Sequence, residues 1–584
     1  MPQLGTRNRP TWLVTVAALA MTFAFRLMYG LSSPFWYEDE RQVYLIGLRS
    51  FARGEWPYFG ADVVWNGSQL GGALQAMLVR WPLAMWPAPE APVVLLNLLS
   101  FAALAWLAWY FIRRFPDVPR WLIAGLLFTC PWTLNFSTHI INTSYILPGA
   151  IVFFVGFLEG MPALRRGLVP HAAAWACMGF GLLWMMQIHM SWVVLPPFVL
   201  AAAIGLLRTD SGNRFPLGQA AAGFLAGAAL PACLLVPTLL KYGVDSIGLT
   251  GATTLQPQSP MALLTTSARV LSFSSFEILR FLGLTRADRI LTLWREPWVV
   301  PFALVVLVAG LAQPLWMVVT SFRRAPTGKP TPGVGFRDAA ADWRNVRILV
   351  AATVLLVYAS YFLSIREQQA HAFYVVFPVS AFFALSCWEL AARAARDRRR
   401  GWEKISAIVL LSNVVVHGGL AIDRLQRQSL YANRGLAAAA IADRNDRYLG
   451  DRRDTIYAME DHRPRPADPV PDPDAYLSAS PVADLQVQQV TWAPVLDLAS
   501  AFTITITHRG TLAAWVDVRY LSSYKDATGR EIETHEGVIK HIIQPGETRT
   551  WTVADGNVPA QAKALSVVVT RAERVIPGRL AQRR

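Results

Sequence analysis

The feature that most constrains this 584-residue chain is that its apolar residues come in blocks of about 20, the first at 11–30 and the last at 404–422. A helix of about 20 residues covers the roughly 30 Å of hydrocarbon in a bilayer. Hydrophobic residues make up 54% of the chain and charged residues 16%, a balance that excludes a soluble enzyme and a disordered polypeptide. The sequence therefore predicts a polytopic α-helical membrane protein.

The blocks predict about eleven transmembrane helices. They lie at 11–30, 93–112, 119–136, 145–162, 171–187, 190–207, 217–239, 298–320, 346–364, 372–392 and 404–422. The net charge of +15 is concentrated at the ends of these blocks. With a cytoplasmic N-terminus, every short basic loop falls on the cytoplasmic side, as the positive-inside rule requires. This placement indicates contact with membrane lipid and argues against nucleic acid as a partner.

The C-terminal part of the chain changes its pattern. Residues 1–422 form the predicted transmembrane domain, and 423–484 form a helical and Pro-rich linker that contains "HRPRPADPVPDPD". From 485 to 584, segments such as "AFTITITHRG" alternate apolar and polar residues, which is typical of short antiparallel strands. We therefore predict an all-β, Ig-like sandwich. Eleven spans would place it outside the cytoplasm.

An acidic cluster follows the first span directly. Glu38, Asp39 and Glu40 precede an amphipathic segment, in which Leu45 and Leu48 recur at helical spacing. One interpretation is that the acids only cap the N-terminus of this interfacial helix, where negative charge is favoured. The other interpretation is that the helix holds functional carboxylates at the membrane surface.

The order of residues favours the functional interpretation. The chain reads Asp39-Glu40-x-x-x-Tyr44, then a predicted helix, then Gly54-x-x-Pro57-Tyr58. This order resembles the first extracytoplasmic loop of glycosyltransferases with the GT-C fold. The resemblance is to the branch of protein O-mannosyltransferases and lipid A aminoarabinose transferases (glycosyltransferase family 39). It covers residues 1–420, and it also includes the inside N-terminus and a partly embedded helix at 68–87. Many relatives carry a His-Pro-Pro stretch where this chain has "WNGSQLGGALQ".

The resemblance implies a bacterial inner-membrane enzyme that transfers a sugar, with inversion, from a polyprenyl-phosphate donor. The acceptor would be a lipid, glycan or protein on the periplasmic face. Asp39 matches the catalytic carboxylate of the family and Glu40 its partner, although a shift by one residue makes Glu38 and Asp39 the pair. A carboxylate here can remove the proton of the acceptor hydroxyl or hold a divalent metal, and the sequence does not choose between these roles.

Two loops offer cations for the departing phosphate. Arg366, His371 and Tyr374 lie in "SIREQQAHAFYVVFP", which is similar to a short loop of the family that leads into a helix. The plainer alternative is a hydrated loop whose arginine extends to the interface. Arg295, between Trp294 and Trp298, is the corresponding candidate in the large later loop, where a surface role is the alternative.

His189 is the last site candidate. It follows Gln187 at the end of the fifth predicted span, and His139 and Asn142 occupy the matching turn between spans three and four. Such residues commonly join helices through hydrogen bonds. Together with Asp39 they could instead bind zinc or manganese. A divalent metal is the one cofactor that the sequence leaves open.

Two rival functions remain open from sequence. A transporter or flippase of lipid-linked intermediates would carry paired repeats and charged or broken helices near the bilayer midplane. We find no convincing internal repeat, and the acids gather at one surface. A membrane scaffold would tolerate substitution of the acidic cluster.

Overall fold

The structure is a computed structural model of the chain. The described residues are 9–33, 43–63 (without 45, 49, 52, 53 and 55), 68–88, 90–141, 143–209, 215–243, 259–283, 286–322, 339–363, 370–394, 396–427, 480–496, 499–510, 514–539, 543–556 and 561–575. They form two compact units. The first contains 1–278 and 298–444, and the second contains 279–297 and 445–584.

The first unit is a helical bundle with one short hairpin. Its hairpin strands are β1 (Phe59–Val63) and β2 (Ser68–Gly71). Its α-helices are α1 (Arg9–Ser32), α2 (Leu74–Met85), α3 (Ala91–Arg114), α4 (Arg120–Thr129), α5 (Pro131–Ser137), α6 (Ile146–Gly160), α7 (His171–Met186), α8 (Pro196–Thr209), α9 (Phe215–Tyr242) and α10 (Pro260–Ser272). The series continues after α11 of the second unit with α12 (Val300–Ser321), α13 (Ala339–Ser360), α14 (Phe377–Ala394) and α15 (Arg399–Arg427). Short 3-10 helices include Met190–Val194 and Ala370–Val376. A further one, Ser275–Leu282, begins in the first unit and ends in the second.

Eight helical segments in the described part of the chain are long and apolar enough to cross a membrane. They are Leu13–Ser32, Ala91–Arg114, Met190–Thr209, Leu217–Tyr242, Pro297–Ser321, Asp342–Ser360, Phe373–Ala394 and Arg399–Gln426. Three shorter apolar helices, Arg120–Thr129, Ile146–Gly160 and His171–Met186, lie at the other predicted spans. These helices are compatible with a multi-pass membrane protein, and the count of eleven spans stays a prediction.

The predicted span at 119–136 is divided into α4 and α5. Cys130 adopts an extended conformation between them, and Pro131 begins α5. Proline has no amide hydrogen to donate, so an uninterrupted helix would lose a hydrogen bond at this position. Proline at the first turn of a helix is favourable for the same reason.

The basic loop ends meet through ion pairs. Arg166 pairs with Asp342 at 2.8 Å, and Arg393 pairs with Asp117 at 2.8 Å. These contacts join the loop after α6 to the start of α13, and the end of α14 to the loop after α3. The sequence analysis places all four of these segments on the cytoplasmic side of the membrane. Each ion pair brings two of them into contact.

The second unit contains one amphipathic helix and two antiparallel sheets. Its helices are α11 (Arg286–Arg295) and the short α16 (Pro481–Asp484). The strands are β3 (Leu485–Leu496), β4 (Ala499–His508), β5 (Ala514–Lys525), β6 (Glu531–Ile539), β7 (Thr548–Gly556) and β8 (Ala564–Val575). They pair in the orders β3-β4-β7 and β6-β5-β8. Helix α11 contacts β7 and β4, which the sequence analysis did not anticipate.

Side chains from both sheets share one hydrophobic cluster. Phe502 and Ile504 come from β4, whereas Val518 and Tyr520 come from β5. Alternate residues of a strand point to opposite faces, so the period-2 pattern of the sequence provides one apolar face for each sheet. This shared core explains why the two sheets group into one compact unit.

Candidate functional site

Several predicted site residues lie outside the described residues. They are Glu38, Asp39, Glu40, Arg366 and Asn142. The backbone of His371 belongs to the 3-10 helix Ala370–Val376. The structure therefore describes what surrounds the acidic segment in the chain, namely the end of α1 and the residues from 43 onward.

The segment after the acidic cluster is helical at 43–44, 46–48 and 50–51, as predicted. Tyr44 and Leu48 are buried. Gly47 lies against Val79 of α2 so closely that a Cβ at this position would clash with it. Arg80 of α2 also donates to the Ser50 hydroxyl at 3.1 Å. Tyr44 therefore lies in a packed helix against α2, the partly embedded helix of the prediction.

The Gly-x-x-Pro-Tyr motif is held against the end of α9. Lys241 Nζ lies 4.1 Å from the centre of the Tyr58 ring. The Thr238 hydroxyl donates to the main-chain oxygen of Tyr58 at 2.6 Å. A lysine over an aromatic face is stabilised by the ring quadrupole. The motif is thus fixed to a span that begins some 160 residues later in the sequence.

Two buried glutamines fix the hairpin that follows. Gln75 accepts a hydrogen bond from the Ala61 amide at 2.8 Å. Gln187 donates to the Pro231 oxygen at 2.9 Å and lies directly beneath Gly72. Gly72 has a φ of +111°, so both its conformation and the lack of space favour glycine. Gln187, singled out from sequence, is therefore a packing contact of this hairpin.

A fully buried arginine lies in the last turns of α1. Arg26 donates to the main-chain oxygens of Phe128 (2.6 Å) and Thr133 (3.1 Å) and to the Ser137 hydroxyl (2.8 Å). Asn413 of α15 donates to the Thr129 oxygen. The contacts of Arg26 with Phe128 and of Asn413 with Thr129 replace donors that the break between α4 and α5 removes. Carbonyl groups that lack a partner are costly in hydrocarbon, so this joint stabilises the broken span.

Further polar contacts continue from this joint toward the end of α1. The Tyr29 hydroxyl donates to Asn135 at 2.6 Å, and the Asn135 amide lies 2.9 Å from His417 Nε2. Arg424 donates to the Ser33 hydroxyl at 3.1 Å and lies 5.1 Å from the Tyr29 ring centre. We call Arg26, Tyr29, Ser33, Asn135, His417 and Arg424 the polar cluster. Its member Ser33, directly after α1, lies five residues before Glu38 in the sequence.

The turn between α5 and α6 closes over this cluster. Asn97 of α3 donates to the Thr138 oxygen at 2.7 Å. A Cβ at Gly30 of α1 would overlap the same oxygen. Burial, with a smaller contribution from the positive charge of Arg424, lowers the pKa of His139 to about 3. His139 is therefore neutral at physiological pH.

His189 has a local structural role. Its Nδ1 accepts from the Ser191 amide at 3.1 Å, so the side chain caps the 3-10 helix Met190–Val194. Burial lowers its pKa to about 4. A neutral imidazole that accepts at Nδ1 fits a helix cap, a local role that the sequence analysis did not predict.

The structure places Tyr374 and Arg295 in different units. Tyr374 is buried in the first unit among aromatic rings, 6.1 Å from the Trp132 ring centre and 5.8 Å from that of Phe136. Arg295 ends α11 in the second unit and donates to the Thr292 hydroxyl at 3.4 Å. Tyr374 therefore packs against the same helix, α5, that the polar cluster engages.

The described residues contain no group of three metal-ligating side chains. The polar cluster itself was missed from sequence, although one signal was present: Arg26 interrupts the apolar run "MTFAFRLMYG". Ionisable residues within a span are rare and commonly functional. No protein-family model and no curated protein sequence matches this chain.

Proposed function

We propose that this chain is an integral-membrane glycosyltransferase of the GT-C type. It transfers a sugar from a polyprenyl-phosphate-linked donor to a lipid, glycan or protein acceptor on the non-cytoplasmic face. The two sheets of the second unit form the Ig-like sandwich, which lies on the same face. The observation that carries the proposal is the polar cluster at the end of α1, directly before the acidic segment.

Charge and burial at this end of the bundle suit such a reaction. Two cations contact the chain on either side of the acidic segment. Arg424 donates to the Ser33 hydroxyl, and Lys241 lies over the Tyr58 ring. A leaving polyprenyl phosphate is anionic, and preorganised cations near hydrocarbon stabilise developing negative charge strongly. The residues next to the acidic segment are rigidly held through Tyr29 and Arg26, which favours precise placement of a catalytic carboxylate.

The chemistry assigned to the acidic segment is a single displacement. The acceptor hydroxyl oxygen attacks the anomeric carbon, and the Asp39 carboxylate takes the hydroxyl proton. The bond between the anomeric carbon and the phosphate oxygen breaks, and its electron pair leaves with the polyprenyl phosphate. Glu40 supports Asp39. Glu38, Tyr44, Arg366, His371 and Tyr374 remain candidate substrate contacts, whereas His189 caps a 3-10 helix. Arg295, a residue of the second unit, remains a separate candidate.

The central test is transfer of radiolabelled sugar from membrane polyprenyl-phosphate donors into lipid and protein fractions. We expect Asp39→Asn to lower transfer by about 100-fold or more at matched protein abundance, with a smaller loss for Glu40→Gln. Glu55→Gln is the matched control, because Glu55 is an acid of the same outer segment at an unspecified position (x) of Gly54-x-x-Pro57-Tyr58. Equal labelling by all variants would leave the acids as a helix cap and favour the transporter or scaffold function.

Two further measurements address the metal and the sandwich. A divalent metal at the acidic segment predicts that chelation abolishes transfer and that added Mn²⁺ restores it. A periplasm-specific reporter fused after residue 584 should be active if the sandwich is extracytoplasmic. A reporter active only in the cytoplasm would contradict the prediction of eleven spans.

A further inference from the structure

The antiparallel pair formed by α12 and α15 carries a basic surface at one end. Trp316 of α12 and Trp402 of α15 have ring centres 5.7 Å apart. At the opposite end of the pair, Gly419 of α15 lies against Val299. The tryptophan pair therefore marks the end at which α15 begins and α12 finishes. This is the predicted cytoplasmic end, rich in basic loops.

Three cations lie at this end of the pair, one in the 3-10 helix Arg396–Arg398 that precedes α15 and two on α15 itself. Arg398, Arg400 and Lys404 are exposed, and none of them forms an ion pair with another described residue. Arg399 differs from these three because its Nε lies 2.9 Å from Glu403 and its guanidinium lies 6.0 Å from the Trp388 ring centre. Arg399 is thus anchored, whereas its neighbours present free positive charge.

The helices below these cations are apolar on their exposed faces. On α15, Ile405, Ile408 and Leu411 are 55%, 56% and 62% exposed. On α12, Leu311 and Leu315 are 60% and 67% exposed. Both helices are long and apolar enough to cross a membrane, so acyl chains must cover these faces. The basic residues then lie at the depth of the lipid headgroups.

We propose that Arg398, Arg400 and Lys404 with the Trp316–Trp402 pair form a binding site for the headgroup of an anionic phospholipid. The phosphate lies among the three cations, the tryptophans lie at the interface, and the acyl chains lie along Ile405 and Leu311. Tryptophan is favoured at this depth, and each cation near an anionic surface adds to the attraction. The site is independent of glycosyl transfer.

The test uses the full-length purified protein after extensive delipidation. Phosphatidylglycerol or phosphatidylcholine is added back, and bound lipid is counted by native mass spectrometry while thermal stability is followed in parallel. We expect the wild type to bind phosphatidylglycerol at least about tenfold more tightly than phosphatidylcholine and to gain stability from it. Soluble glycerol phosphate should not displace the lipid, because the acyl chains contribute to binding; displacement would identify a free-phosphate site and overturn the proposal.

The decisive comparison is between two triple variants of equal charge. Arg398→Gln/Arg400→Gln/Lys404→Gln should lose the preference for phosphatidylglycerol. Arg113→Gln/Arg120→Gln/Arg165→Gln removes the same charge from exposed positions at other basic helix ends and loops, and this variant should retain the preference. An equal loss in both variants would reduce the effect to general attraction between charges, and a wild type without preference would also overturn the proposal. Trp402→Ala, which keeps all three cations, should weaken retention of the lipid.

Discussion

Arg26 in the first span donates from Nη1 to the main-chain oxygen of Phe128, 102 residues later, at 2.6 Å. The two residues join α1 to the end of α4, at the point where the helix is broken before Pro131. A guanidinium has five donors in a fixed plane, so one side chain can satisfy several carbonyl groups at once. The contact makes a charged residue part of the apolar bundle.

Replacing Arg26 with methionine should destabilise the protein strongly. The substitution keeps an apolar stem but leaves the Phe128 and Thr133 oxygens without this donor. Hydrogen bonds to charged groups contribute about 1.5–3 kcal/mol each, so we expect a loss of about 3 kcal/mol or more. The measurement is the free energy of unfolding in a mixed micelle.

Arg26→Lys and Arg344→Met serve as controls for that experiment. Lysine keeps the charge but is a point donor, so it should recover only part of the stability. Arg344 is exposed on α13, and its replacement should change stability by less than about 0.5 kcal/mol. If Arg26→Met were as mild as Arg344→Met, the joint would not stabilise the broken span.

Tyr29 and Asn135 should show measurable coupling. Their hydrogen bond of 2.6 Å is buried between α1 and α5. Double-mutant cycles of such bonds between membrane helices give about 0.6 kcal/mol on average and up to about 1.7 kcal/mol. We expect Tyr29→Phe and Asn135→Ala to couple within this range. Strictly additive effects on the free energy of unfolding would show that the bond contributes nothing.

The positions of the spans were predictable because a span is a local property of the sequence. Each predicted block contains an apolar helix, and alternation after 485 predicted strands where β3 to β8 occur. The break at Cys130 was not predicted, since Pro131 is also compatible with a kinked, continuous span. The grouping of α11 with the sheets depends on contacts between distant parts of the chain, which periodicity does not contain.

The candidate site was less predictable than the fold. The polar cluster joins Ser33 to Arg424 and Tyr29 to Asn135, across separations of 391 and 106 residues. A single sequence provides no information on such pairs. It predicted a helix directly after Tyr44, and the structure has a helix there that already includes Tyr44. The roles of Asp39 and Glu40 remain predictions, which the transfer assay tests.

Two buried histidines should make the protein less stable in mild acid. The pKa of His139 is lowered to about 3 and that of His189 to about 4, against about 6.5 in an unfolded chain. Between these values and pH 6.5 the unfolded state binds more protons, so stability falls as the pH decreases. Each histidine contributes up to about 1.4 kcal/mol per pH unit in this window.

Thermal unfolding at pH 7.5 and pH 5 checks this expectation. His139→Gln should reduce the difference in stability between the two pH values, and His189→Gln should reduce it by a similar amount. The two effects should add, because the residues lie in separate turns. An unchanged difference in both variants would show that neither imidazole is kept neutral by the fold.

The close approach of α1 to the turn after α5 gives a prediction with an internal control. A Cβ at Gly30 would overlap the Thr138 oxygen, whereas a Cβ at Gly418 of α15 would meet only Phe25 at 3.9 Å. Gly30→Ala should therefore force α1 away from the turn and cost about 1–3 kcal/mol. Gly418→Ala should be neutral or slightly stabilising, because alanine favours the helix. Since Gly30 precedes the acidic segment, its variant should also lower sugar transfer, whereas Gly418→Ala should transfer normally. Equal stability and equal transfer for both variants would show that the end of α1 is not held in the position described.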